Sequence, residues 1–273
     1  MKVMDNLIER AARDLVNSRY AIALTGAGIS TESGIPDYRG PEGIWTKNPE
    51  AERMAYEGWP RFLADPEGYW RERLTSRSPG FFRGREMAMP NRGHYALVEL
   101  EKQGILKCVI TQNVDALHEK AGTKRLLEYH GSSIKLRCVS CNQRFHRDEF
   151  DLEKLMRESQ LPPHCPRCGE VIKPDGVGFG EPIPSDVAKQ SLEEAKKCDL
   201  MLICGTSAVV YPFANLPRIA RRRRDVAIIE INAVSTPLTS EGISDYLIQG
   251  KTGEILPKIV EEVDKIRKKV KNL

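Results

Sequence analysis

Residues 110–131 read ITQNVDALHEKAGTKRLLEYHG. The stretch opens on the end of an apolar run, Cys108-Val109-Ile110, with the length and composition of a buried strand. Thr111, Gln112, Asn113 and Asp115 follow at once. Polar side chains clustered past the carboxyl end of a strand mark the ligand crevice of an open α/β sheet. A second apolar run, Leu126-Leu127-Glu128-Tyr129, leads into His130 with Gly131 behind it. An imidazole beside a glycine can sit close to a ligand and accept a proton near neutral pH. A lone histidine is also compatible with a purely structural role, so its company has to decide.

Working outward, the upstream half supplies a helix, a strand and a glycine turn. Leu7, Ile8, Ala11, Ala12, Leu15 and Val16 recur at helical spacing across Asp5–Ser18. Tyr20–Thr25 reads as a buried strand that runs into Gly26-Ala27-Gly28-Ile29-Ser30. Such a turn presents backbone amides to a pyrophosphate, because a Cβ would block close approach. Thr31 stands where a dinucleotide fingerprint has its third glycine, so an ordinary tight turn is equally compatible. Ser33–Gly40 is a loop that offers Asp37, Tyr38 and Arg39 to a ligand. Residues 41–90 carry all three tryptophans and several prolines, and read as a lobe of short helices with Trp45, Trp59 and Trp70 in its core. A helix is expected over Asn91–Gln103, stopped by Gly104.

Downstream, Cys138-x2-Cys141 and Cys165-x2-Cys168 are separated by 23 residues. Two such knuckles supply the four thiolates that structural zinc prefers, and a closed four-ligand shell leaves no position for catalytic water. His146 and His164 lie nearby but are not needed as ligands. Ser185–Lys197 reads as a helix, and Cys198–Cys204 as a strand ending in Gly205-Thr206-Ser207. Asp225–Ile231 is another strand, ending at Asn232, and Tyr246–Ile248 a last one before a helix from Glu254 to about Lys271. Arg221–Arg224 reads as a solvated basic helix end. Cys108, Cys198 and Cys204 sit in apolar runs and are expected to be buried free thiols.

Composition and length set bounds on partners and location. A formal net charge of +4 over 273 residues is too small to argue for nucleic acid. No apolar run approaches the ~20 residues of a membrane span. The amphipathic N-terminus, with Asp5, Glu9 and Asp14, lacks the apolar core of a signal peptide. A cytoplasmic location is therefore expected, and in that reducing compartment paired cysteines argue for metal over disulfide. Four strand ends carry small polar residues, and parallel strands place these ends on one edge of a sheet. The expected fold is therefore α/β, a Rossmann-like doubly wound parallel sheet with a small inserted zinc-ribbon and helical domain.

In this order, GAGIS, GIPDYRG, TQNVDALH, the HG of LEYHGS, the four cysteines, FGE, GTS and the Asn after the IIEI strand make the chain resemble the sirtuin family, in particular its prokaryotic and archaeal members. The family consists of NAD-dependent protein-lysine deacylases, and the resemblance runs from the first helix to the last. It implies a large NAD-binding domain over residues 1–37, 88–134 and 177–273, a cofactor loop and helical lobe over 38–87, and a zinc-ribbon module over 135–176. It implies NAD contacts from Gly26, Ala27, Gly28, Ser30, Asp37, Tyr38 and Arg39, from Gln112, Asn113 and Asp115, and from Gly205, Thr206, Ser207 and Asn232. His130 would be the general base, with Asn113 beside it at the reacting centre. Val177, Phe179, Gly180 and Glu181, with Val209, Val210 and Tyr211, would flank an acyl-lysine peptide as added strands. Cys138, Cys141, Cys165 and Cys168 would hold one structural Zn²⁺. The implied products are free lysine, nicotinamide and O-acyl-ADP-ribose.

Three departures bear on specificity. Tyr38 stands where the family has Phe, and Gly176 and Gly178 stand where it has bulky residues. Val177 and Phe179 are expected to alternate on an extended strand and grip the lysine stem, leaving the glycine face either a cavity for a fatty acyl chain or a space filled by the tryptophan lobe. Succinyl is disfavoured, because Tyr69 is followed by Glu72 where succinyl-accepting relatives have Tyr-x-x-Arg. Two other functions compete: mono-ADP-ribosyl transfer on the same scaffold, against which the intact His130 weighs, and a zinc-ribbon NAD sensor with a weak nucleic-acid or chromatin-protein contact through Arg221–Arg224. Hydride transfer is disfavoured by nicotinamide-side residues suited to cleaving the glycosidic bond.

Overall fold

A computed structural model describes residues 2–40, 43–75 and 87–271. Parts of the expected helical lobe, residues 41, 42 and 76–86, lie outside the described residues.

Six parallel strands form the main sheet: β1 (Ala21–Thr25), β2 (Leu106–Thr111), β3 (Leu126–Glu128), then, after three strands of a smaller sheet, β7 (Leu200–Cys204), β8 (Ala227–Asn232) and β9 (Tyr246–Gln249). Their order across the sheet is β3-β2-β1-β7-β8-β9. Runs such as AIALT and LMLIC are buried on both faces because helices cover both. One face packs Ile8, Leu15, Leu97, Leu100, Leu256 and Ile259, which lie on α1 (Lys2–Asn17), on Arg92–Lys102 and on the last helix, Thr252–Lys271. The other packs Ala195, Phe213, Leu216 and Ala220 against Ile22, Met201 and Ile228. The chain leaves β1 toward one edge and β7 toward the other, so a crevice opens at the carboxyl ends of these two neighbours, where the strand order reverses.

The smaller sheet is antiparallel, β4 (Lys135–Cys138), β5 (Arg144–His146) and β6 (Ile172–Pro174), in the order β5-β4-β6. It shares an apolar cluster with the helices Pro49–Ala64 and Pro66–Thr75 through Phe62, Trp70, Leu136, Leu152 and Ile172. The buried indole of Trp70 donates to the Ile172 carbonyl at 2.9 Å, which ties lobe to ribbon.

The structure corrects three expectations. Arg221–Arg224 is not simply a solvated run. Arg221 donates to the carbonyls of Ile243 (2.7 Å) and Val226 (3.1 Å) and pairs with Asp245, while Arg223 donates to the last carbonyls around Ser185–Lys197, at Lys196 (2.8 Å) and Cys198 (3.0 Å). Only Arg222 and Arg224 are exposed. The last helix begins at Thr252, because the Gly253 N–H finds the Glu32 carboxylate at 2.7 Å and so tolerates a place in the first turn. Residues 177–181 and 209–211 are not strands: β6 ends at Pro174, and the chain beyond it turns, with Gly180 at φ 79°.

Candidate active site

The crevice becomes a cleft of about 1590 Å³ between the main sheet and the smaller unit. One pocket for a drug-sized ligand needs roughly 300–1,000 Å³, so this volume suits two ligands side by side. Its floor is the switch point itself. Gly28 N–H donates to the Gly205 carbonyl at 2.8 Å, and a Cβ on Gly28 would stand 2.8 Å from the Gly205 Cα. Gly205 has φ 62°, so both glycines are needed for the β1 and β7 turns to meet. Ala27–Ser33 is a 3-10 turn rather than the start of a long helix.

Polar side chains cross-link this floor. Asn113 donates to the Gly26 carbonyl (3.0 Å) and to Ser30 Oγ (3.1 Å), and Ser30 Oγ donates to Asp115 at 2.6 Å. Gln112 donates to Thr206 Oγ1 at 2.7 Å, and Asn232 to the Thr206 carbonyl at 3.2 Å. Ala27, Gly28, Asp37, Tyr38, Arg39, Gln112, Asn113, Gly205, Thr206, Ser207 and Asn232 all line the cleft. Gly26, Ser30 and Asp115 are not among the lining residues; Ser30 accepts from Asn113 and is itself held by Asp115. Arg39 is exposed, pairs with Glu52 at 3.6 Å and lies over the Trp45 ring at 4.5 Å.

His130, half-buried, also lines the cleft. Its Nδ1 lies 3.2 Å from the Gln112 carbonyl oxygen. A carbonyl only accepts, so Nδ1 carries the hydrogen and Nε2 keeps a free lone pair. Burial lowers the His130 pKa to about 4, the Gln112 carbonyl acting in the opposite direction. The ring is therefore neutral near pH 7 and able to accept a proton.

The far wall carries Val177, Phe179, Gly180, Glu181, Val209, Val210 and Tyr211, all expected on the peptide side. Phe179 packs on Tyr56 (centroids 4.4 Å) and Trp45 (5.5 Å), and Trp45 on Tyr38 (4.8 Å). Trp45 and Trp59 thus line the cleft as well as packing in the lobe, which core-only readings missed. The Glu181 carboxylate turns inward, to buried Lys173 at 3.1 Å and to the Gly178 N–H at 2.8 Å. The two glycines differ. A Cβ on Gly178 would meet Trp59 Cβ at 3.2 Å, whereas one on Gly176 meets nothing within 4 Å. The lobe fills the space beside Gly178 and leaves that beside Gly176 open.

The sequence reading also missed Val234–Thr236 and Gly250–Thr252, which close the cleft past β8 and β9. Gly250 follows a strand end, so the rule applied to the other four ends would have found it.

The four cysteines come together, with all Sγ atoms within 4.8 Å of one another. Cys138 and Cys168 are 3.4 Å apart, Cys141 and Cys165 3.8 Å. Zn–S bonds of about 2.3 Å place tetrahedral sulfurs roughly 3.8 Å apart, whereas a disulfide needs about 2 Å. The set fits one structural zinc ion. Cys108, Cys198 and Cys204 are buried and free, and burial pushes each thiol up to about 12. Among the described residues no helix is long and apolar enough to cross a membrane.

The Sir2 family profile matches residues 26–212. NAD-dependent protein deacylase 2 of Archaeoglobus fulgidus is 43% identical over 265 residues, covering 97% of this chain and 99% of that protein. The crystal structure of a Sir2 homolog–NAD complex is 40% identical with a TM-score of 0.73, covering 94% of both chains. The structure of Sir2Af2 bound to a myristoylated histone peptide is 37% identical with a TM-score of 0.65, covering 98% of this chain and all of that one, 100%.

Proposed function

Since this chain belongs to the Sir2 family, we propose that it is an NAD-dependent protein-lysine deacylase, which transfers the acyl group to ADP-ribose and releases nicotinamide and free lysine. The carrying observation is one cleft holding both the switch-point floor and a neutral, oriented imidazole. Residues 1–37, 88–134 and 177–273 would act as the NAD-binding domain, 38–87 as cofactor loop and lobe, and 135–176 as the zinc ribbon.

In this reading Ala27, Gly28 and the ends of β1, β7 and β8 receive the diphosphate and adenosine half, and Gln112 and Asn113 the nicotinamide ribose. Gly26, Ser30 and Asp115 support them from behind. The acyl oxygen attacks the anomeric carbon as nicotinamide leaves, in a dry pocket of preorganised dipoles. His130 Nε2 then takes a proton through the ribose hydroxyls, freeing one to attack the O-alkylamidate carbon. Water completes the balance: acyl-lysine, NAD and water give lysine, nicotinamide and O-acyl-ADP-ribose. Cys138, Cys141, Cys165 and Cys168 would hold a zinc ion whose closed shell of four thiolates would organise the ribbon and offer no position to the reacting groups.

The open side of Gly176 and the apolar wall around Trp59 and Phe179 favour fatty acyl chains alongside acetyl, each buried CH₂ contributing about 0.8 kcal/mol. A comparison of kcat/KM for acetyl, octanoyl, myristoyl and succinyl forms of one peptide tests this. Activity on acetyl with equal or higher values on fatty chains is expected, and a steep fall beyond acetyl, or a succinyl preference, contradicts it. The cytoplasm is the proposed location. A weak contact with nucleic acid or a chromatin protein would use the exposed Arg222 and Arg224 of this run, and a salt-dependent shift assay tests it.

A further inference from the structure

The backbone around His130 is latched to a single buried carboxylate. Asp175, 0% exposed, accepts the Ser132 N–H on Oδ2 at 2.8 Å. Two residues on, the Val177 N–H donates to the His130 carbonyl at 2.9 Å. Between these bonds Gly131, at φ 79°, lies so close that a Cβ would stand 2.1 Å from the Asp175 carbonyl oxygen. The turn that carries the imidazole is thus held by Asp175 and its own strand exit.

The other side of the carboxylate faces the cysteine module. Arg137 Nε donates to Asp175 Oδ1 at 2.7 Å, and Arg144 Nε to the same oxygen at 3.1 Å. Arg144 Nη2 also reaches Asp175 Oδ2, and donates to Glu128 at 2.8 Å, two residues before His130. Both arginines lie on the strands that flank the first knuckle, Arg137 on β4 and Arg144 on β5, and the two residues pair across that hairpin. Arg137 precedes Cys138 and donates to the Asn142 carbonyl at 3.4 Å, while the Cys138 N–H donates to the Gln143 carbonyl at 2.9 Å. A buried carboxylate keeps its place only while its charged partners are held in register, because an unpaired charge there is strongly unfavourable.

We propose that Asp175 is a positioning residue for His130, and that through Arg137 and Arg144 it makes the His130 turn depend on the metal-bound state of the cysteine module. The inference rests on the deacylase reading for its kinetic consequence, though not for its structural one. The turn sets where Nε2 points, so loosening it impairs the proton transfer that follows loss of nicotinamide. It leaves the preceding glycosidic step, made on the β1–β7 floor, largely intact.

The test compares zinc-loaded wild type with Asp175→Asn. Exchange of labelled nicotinamide into NAD, in the presence of acyl peptide, reports the first step, and deacylated peptide reports the whole sequence. The expected variant keeps one zinc per chain, shows NAD affinity and nicotinamide exchange within about 3-fold of wild type, and forms product at least ~10-fold more slowly. Loss of exchange and product in equal measure, or wild-type product formation, overturns the proposal. Hydrogen exchange gives an independent readout. Amides 130–133 exchange faster in Asp175→Asn and in zinc-stripped wild type, while those of β1 and β7 do not change. Unchanged protection at 130–133 after zinc removal overturns the coupling even if Asp175→Asn fails to fold. A zinc-loaded wild type that binds NAD but forms no product refutes the deacylase reading instead, and leaves the hydrogen-exchange arm still decisive.

Discussion

The Gln112 carbonyl oxygen lies 3.2 Å from Nδ1 of His130, and this contact fixes which face of the imidazole is basic. Gln112 itself is the first residue past β2, and its own N–H donates to the Thr25 carbonyl at 3.0 Å. The imidazole is therefore oriented by the sheet edge that forms the floor of the cleft.

Replacing His130 with Ala removes the proposed base from a half-buried, glycine-flanked position outside the described apolar clusters. Deacylated product should fall by ~10²–10⁴-fold, with melting behaviour close to wild type. Near wild-type turnover in the folded variant contradicts the role.

Acid should weaken the fold through buried imidazoles. His94 and His118 are buried with ring centroids 4.8 Å apart; burial lowers His94 to about 4 and holds His118 well below its usual value. With His130 also lowered, the folded state binds fewer protons than an unfolded chain whose histidines titrate near about 6.5. Their contribution is fully present above about pH 6.5 and is lost as pH falls toward about 4, with stability rising with pH across that window. Histidine ring resonances followed by NMR should show His94 and His118 still neutral at pH 5. Ordinary titration of either near its unperturbed value contradicts this.

Zinc should be stoichiometric and structural. Replacing Cys165 and Cys168 together with Ser should abolish bound zinc and unfold the ribbon, since metal-binding energy is folding energy for so small a unit. Cys108, Cys198 and Cys204 should stay unreactive toward a thiol reagent until the chain unfolds. Zinc retained by the double variant, or rapid labelling of these three, contradicts the assignment.

Gly176 and Gly178, in the far wall of the cleft, should respond differently to substitution. Gly178→Phe has no room beside Trp59, and overpacking of ~1–3 kcal/mol should depress turnover of every acyl peptide. Gly176→Val enters open space and should spare acetyl while lowering fatty-chain kcat/KM. A selective fatty-chain loss from Gly178→Phe, or none from Gly176→Val, contradicts the packing argument.

The order of helices and strands was legible because apolar runs such as AIALT, LMLIC and AIIEI carry their burial in their composition. The switch-point residues were legible for the same reason: small polar groups follow each run. The four cysteines announced themselves by spacing alone. The support behind Asn113 was not legible, since nothing local says that Ser30 accepts from Asn113 while donating to Asp115. The filling of the Gly178 face by Trp59 depends on contacts across more than a hundred residues, beyond the reach of alternation along one strand. The internal pairing of Arg221 and Arg223 was hidden likewise, because their partners come from Val226, Ile243 and Asp245 on one side and Cys198 on the other.

The most direct test of the deacylase assignment is product analysis after mixing the zinc-loaded protein with NAD and one acyl-lysine peptide. Nicotinamide, deacylated peptide and O-acyl-ADP-ribose should form in equal amounts, and none should form when NAD is withheld. Deacylated peptide without nicotinamide, or nicotinamide release accompanied by ADP-ribosylated rather than deacylated peptide, would contradict it.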